Sequence, residues 1–179
     1  MALHEIVLEE TKPETEWVRG RALQKVSPTY RHALAQRRLV AALGEWVDHG
    51  GPGRVGTEWR FRVTPPGAIT RPLVPDVAYV AFAVLPDDAL DHDVEIPRVP
   101  PTVAFEVLSA DDRDDDVADK IAVYLAAGTT AVVIVDPERR NAVVIDRTGM
   151  RVVEPGQTLS HPALPGFAVD VSALFARLP

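Results

Sequence analysis

Two carboxylates stand where apolar strands would not ordinarily place them. Glu106 interrupts TVAFEVLS (102–109), and Asp76 follows a proline inside VPDVAYVAF (74–82). Strand alternation puts Val103, Phe105 and Val107 on one face and Ala104, Glu106 and Leu108 on the other. An ionised glutamate there costs several kcal/mol unless it is paired or bound to a cation. Two such acids on adjacent strands, with a backbone carbonyl such as that of Val107 and waters, would form a hard oxygen site suited to Mg²⁺, with Mn²⁺ as a substitute. The structural alternative is that Asp76 opens a turn and Glu106 pairs with Arg60 or Lys120. Lys120 lies on the helix that follows the Glu106 strand, so it can lean back over the strand's carboxyl end. An ammonium there would orient an attacking water or offset charge growing on a phosphate. Its plain alternative is an exposed pair with Asp116 one turn earlier, worth only ~0.3–0.5 kcal/mol. Tyr124 extends the same helix face and is expected at the edge of the core.

Other chemistries find little support. The chain has no cysteine, which excludes a disulfide framework, a thiolate zinc site and a cysteine nucleophile together. His4, His49 and His92 are scattered, against a histidine zinc site, and His161 stands in a proline-rich loop, against serine catalysis. No GxSxG elbow, phosphate-binding loop or dinucleotide glycine signature is present.

The elements that must position the acids can be read from periodicity. SPTYRHALAQRRLVAALGEWVDHGG predicts a helix capped by Ser27 with Pro28 in its first position, its apolar stripe running through Ala35, Leu39, Leu43 and Trp46. VGTEWRFRVTP alternates as one half-buried strand. The stretches 74–82 and 102–109 are apolar enough to be buried on both faces. A second helix is expected over 115–127, with Asp114, Asp115 and Asp116 at its positive end and Gly128 as its stop. Strands at 129–137 and 140–149, a short one after them and a closing helix VSALFARL complete the order. A buried strand, a helix and another buried strand predict a β-α-β crossover with parallel strands, fed by a meander. The expected fold class is α/β (α+β): a mixed central β-sheet flanked by helices, in one domain over 1–179.

At 179 residues, 46% apolar and 25% charged, the chain is neither disordered nor membrane-spanning. Its first residues carry acids where a signal peptide needs a basic start, so a soluble cytoplasmic protein is expected. The net charge of −7 is unevenly spread: residues 1–71 hold 11 Lys+Arg against 8 Asp+Glu, and residues 72–179 hold 8 against 18. Arg31, Arg37 and Arg38, with Arg60 and Arg62, are either phosphate contacts or a solvated face. The run 111–119, DDRDDDVAD, reads as a solvated loop and helix cap, although an acidic rim would oppose DNA.

PD at 75–76, FEVLS at 105–109 and the Asp116–Lys120 helix resemble the family of “putative restriction endonucleases” within the PD-(D/E)XK nuclease superfamily. The likeness extends to the helical SP…H before them, VDP at 135–137 and LPGF ahead of a last short helix, covering roughly 14–178. It implies a restriction-endonuclease-like core and hydrolysis of DNA phosphodiesters with Mg²⁺ by an activated water. It assigns Asp76 and Glu106 as metal ligands and Lys120 as the catalytic lysine. Leu108 occupies the superfamily's usual lysine position, so Lys120 fills that role from the helix. His32 matches a family histidine, and as a helix residue it reads equally as partly exposed structure. The family's acidic-glycine-acidic turn is Arg19-Gly20-Arg21 here, which leaves Glu16 as the nearest carboxylate. His32, Arg31, Arg38 and Arg60 are the expected substrate contacts. DNA is the expected partner, no membrane is expected, and a homodimer stays open beside a monomer. The alternative function is a catalytically silent module that kept the nuclease fold for binding or oligomerisation; a phosphoesterase acting on small nucleotides is a third.

Overall fold

The apolar runs read above become the central strands of a mixed sheet. The computed structural model describes residues 5–9, 11 and 14–178. Along the chain lie β1 (Thr15–Val18), β2 (Arg21–Gln24), α1 (Tyr30–Asp48), β3 (Gly53–Thr57), β4 (Phe61–Val63), β5 (Arg71–Leu73), β6 (Val77–Ala81) and α2 (Asp91–Glu95). They are followed by β7 (Val103–Val107), α3 (Asp114–Ala127), β8 (Ala131–Asp136), β9 (Asn141–Asp146), β10 (Gly149–Val153), β11 (Thr158–Leu159), β12 (Val169–Asp170) and α4 (Val171–Leu174). The main sheet has six strands in the order β10-β9-β8-β7-β6-β3. β7 and β8 are parallel across α3, as the crossover predicts, and every other neighbour in the sheet is antiparallel.

Alternation divides the core between the two faces. Tyr79, Phe105 and Val133 pack with Leu39 and Leu43 of α1 and with α4, while Ala78, Ala104 and Val132 pack with Tyr124 of α3 and with Phe61, Val63 and Leu73. Glu106 has the parity of Ala104, so its side chain faces α3. α3 ends at Gly128, whose φ of 111° is the left-handed stop that suits glycine.

Three expectations need correcting. α1 starts later than expected: Thr29, in extended backbone, is the cap and its hydroxyl accepts the His32 N–H at 3.4 Å. Ser27 and Pro28 lie ahead of that cap, outside the helix. The alternating run at 55–65 is two strands, because Glu58 adopts a left-handed φ of 48° and turns the chain out of the main sheet. Phe61–Val63 pairs instead with Arg71–Leu73 as a separate ribbon, interrupting the expected meander. Finally, Asp76 lies in the bend before β6 rather than inside a strand.

Candidate active site

The site is assembled at one end of the β6–β7 ladder. The register pairs Val77 with Phe105 and Ala78 with Ala104, so the next step places Asp76 beside Glu106. Asp76 Oδ2 accepts the Val107 N–H at 2.7 Å and lies 3.3 Å from His32 Nε2. Because an ionised carboxylate only accepts, that imidazole nitrogen is the donor. α3 runs past the same strand end and delivers Lys120, whose Nζ is 2.8 Å from Glu106 Oε2 and 3.1 Å from Glu16 Oε2. The Tyr124 hydroxyl donates to Glu106 Oε1 at 3.4 Å. Glu16 comes from β1 and also accepts the Val74 N–H at 2.7 Å, which ties the β1–β2 hairpin to the segment carrying Asp76. A second ammonium, Lys25, follows β2 and reaches Asp76 Oδ1 at 2.7 Å.

Three buried carboxylates therefore share two ammonium groups, Lys120 buried and Lys25 half-buried, and all five line one cavity of about 180 Å³. Burial pushes the Glu106 carboxyl up to about 8; Asp76 and Glu16 push the same way, and Lys120 opposes them. Burial alone would raise Asp76 too, but the His32 hydrogen bond and the Lys25 charge bring it well below the usual carboxylate range. Burial would lower Lys120 and Lys25, yet the surrounding carboxylates hold both above the normal lysine range. The Tyr124 hydroxyl is raised by burial and by the same acids.

The pairings named as structural alternatives are realised in part. Glu106 pairs with Lys120, and Asp116 accepts from Arg21 at 2.7 Å instead of from Lys120. The family described as “Putative restriction endonuclease” (Uma2) matches residues 2–172. The chain belongs to this family. A crystal structure titled as a putative nuclease belonging to DUF820, from Anabaena variabilis, superposes with a TM-score of 0.81 at 24% identity, covering 94% of this chain and 93% of that one. No curated protein matches the chain.

In this Uma2 chain the residues singled out from sequence fall into two groups. Asp76, Glu106, Val107, Lys120, His32 and Glu16 converge on the cavity. The arginines do not. Arg31 lines a neighbouring hollow with Tyr30 and Arg139. Arg38 reaches the Ala176 carbonyl at 3.4 Å, so it ties α1 to the chain beyond α4. Arg60 is held by Glu14 at 2.6 Å and lines a separate hollow with Trp59. The acidic run is the solvated loop and helix start expected over Asp111–Asp115, which are exposed, but Asp116 is buried. Asp115 and Asp116 receive Arg19 and Arg21 at 2.8 and 2.7 Å, Asp119 lies 3.9 Å from Arg71, and Arg113 caps α3 without a side-chain hydrogen bond. Sequence reasoning missed Lys25, which sits in no periodic pattern, and its partner Glu58, which the alternation of 55–65 reads only as the polar side of a strand.

The donor set fits a hard divalent cation of the kind expected from the sequence resemblance. Among the described residues no three acids or histidines stand at metal-binding spacing. Mg²⁺ does not require such a cage, since it is commonly held by one or two carboxylates, waters and substrate phosphate. Asp76 and Glu106 supply those carboxylates, and burial with the neighbouring acids disfavours the Glu106 charge that a cation would compensate.

Proposed function

We propose that this chain is a Mg²⁺-dependent endonuclease hydrolysing phosphodiester bonds in DNA. The observation carrying this reading is the convergence of Asp76, Glu106 and Lys120, from a bend, a strand and a helix, on one cavity with Lys120 Nζ 2.8 Å from Glu106. Asp76 and Glu106 would hold the ion, with the Val107 carbonyl beside them and Mn²⁺ able to substitute. Such an ion acidifies a water and stabilises charge on the phosphoryl and leaving oxygens.

The chain's own groups do the rest. Lys120 is pinned by two carboxylates and stays protonated, so it acts as a fixed positive charge facing the phosphate rather than as a base. His32 and the Val107 N–H fix the rotation of the Asp76 carboxylate. Tyr124 does the same for Glu106 from within the core. Arg31, beside the cavity, is the phosphate contact best placed of those considered. No covalent enzyme intermediate is required.

Supercoiled DNA incubated with purified protein and Mg²⁺ is expected to be nicked by the wild type. Glu106→Gln and Lys120→Met, each checked for native circular dichroism, are expected to lose at least ~100-fold in rate, the scale of one electrostatic contact to a developing charge. Equal rates for all three would remove the assignment. A second reading, a catalytically silent module, is favoured by one observation: both oxygens of Asp76 already have partners within the chain. It predicts a folded protein that neither cleaves DNA nor gains stability from Mg²⁺.

A further inference from the structure

Lys25 has no part in the chemistry above, yet it is built into the site as firmly as Lys120. Its backbone N–H donates to the Glu14 carbonyl at 2.8 Å, continuing the hairpin by one step. Its side chain is only 18% exposed. An ammonium has three protons, and here each has an acceptor: Asp76 Oδ1 at 2.7 Å, Glu58 Oε2 at 2.7 Å and the Val74 carbonyl at 3.1 Å. Glu58 is itself set in place for this contact. Its other oxygen accepts from Gln36 Nε2 at 3.1 Å, and its backbone holds a left-handed φ of 48°, a conformation that costs a residue other than glycine roughly 1–2 kcal/mol. A strained residue that delivers a carboxylate to a half-buried lysine is a local cost with a local purpose.

We propose that Lys25 is a resident counter-ion that competes with a divalent cation for Asp76 Oδ1 and so keeps the cation affinity of the site low. The inference rests on the metal-dependent reading of Asp76 and Glu106. Asp76 Oδ2 is taken by Val107 and His32, which leaves Oδ1 as the oxygen open to a cation, and the Lys25 ammonium already lies on it. Glu58 shares the ammonium with Asp76 and weakens its hold there. The two partners therefore act in opposite directions. Removing the ammonium frees Asp76, whereas neutralising Glu58 directs the whole ammonium charge onto Asp76.

The test is calorimetric titration of Mn²⁺ into the full chain at fixed pH and ionic strength, with no DNA present. Lys25→Met is expected to bind Mn²⁺ about tenfold more tightly than wild type, and Glu58→Gln about threefold more weakly. Arg21→Gln is the control: it removes a positive charge from the same cavity wall without touching Asp76, and is expected to change affinity by less than about twofold. A Lys25→Met affinity equal to or weaker than wild type overturns the proposal, as does an equal gain in Arg21→Gln, which would mean a general field effect. If Lys25→Met does not fold, Glu58→Gln decides alone; its side chain is 40% exposed, and binding as tight as wild type or tighter overturns the proposal. Mn²⁺ binding to wild type with unchanged variants sinks only the role of Lys25. Absence of binding throughout sinks the metal-dependent reading with it.

Discussion

Glu106 bears an electrostatic penalty that pH exposes. Its folded carboxyl titrates at about 8 against an ordinary 4.5, raised first by burial and then by Asp76 and Glu16. Between those values the native chain binds more protons than the unfolded one, so stability falls as pH rises through that window. Urea unfolding of the metal-free protein should show a loss between pH 5 and pH 8 that Glu106→Gln lacks; matching slopes would refute the account of Glu106. Asp76 works in the opposite sense. Its carboxyl is held below the usual range by His32 and Lys25, so its stabilisation is present above about pH 4 and lost on further acidification. Lys120→Met leaves the buried Glu106 and Glu16 without their cation and should cost ~3–5 kcal/mol in urea unfolding. Asp76, Glu106 and Lys120 were legible because a lone charge in an apolar strand, or one helical step beyond it, stands out from its neighbours. Lys25 and Glu58 were not, because their meeting depends on a backbone turn at Glu58 that no residue pattern announces.

The elements carrying these side chains differ in how firmly they are held. β7, α3 and β8 were readable from apolar runs, the three aspartates and Gly128, and they form the packed centre of the fold. Gly128→Ala forces a side chain into left-handed backbone at φ 111° and should cost about 1 kcal/mol in thermal unfolding. The β1–β2 hairpin was not readable: its strands are four residues each, with mixed polarity, and its place is fixed by partners about a hundred residues away. Arg19 and Arg21 clasp α3 with side chains 43% and 46% exposed, and such pairs are worth at most ~1 kcal/mol each and weaken with salt. Hydrogen exchange at β1–β2 amides should therefore accelerate in high salt while β7–β8 amides stay protected. Equal salt response in both would contradict the clasp.

Across the whole molecule, the uneven charge turns out to be partly internal. Arginines from the basic first part, Arg19, Arg21 and Arg71, face aspartates of the acidic second part at the start of α3. The asymmetry is thus spent in docking the hairpin that brings Glu16 and Lys25 to the site. The two core layers hold the sheet end on which the site is built, and Leu39, fully buried under α1, marks the larger one. Leu39→Ala should cost ~2–5 kcal/mol in urea unfolding, and a loss below about 1 kcal/mol would mean that layer is loosely packed. What the molecule is built to hold at that sheet end can be seen directly in an anomalous difference map from crystals of the wild type soaked in Mn²⁺. The account predicts one peak in contact with a carboxylate oxygen of Asp76 and one of Glu106, with Lys120 still paired to Glu106. Mn²⁺ bound elsewhere, with both acids held only by their lysines, would contradict it.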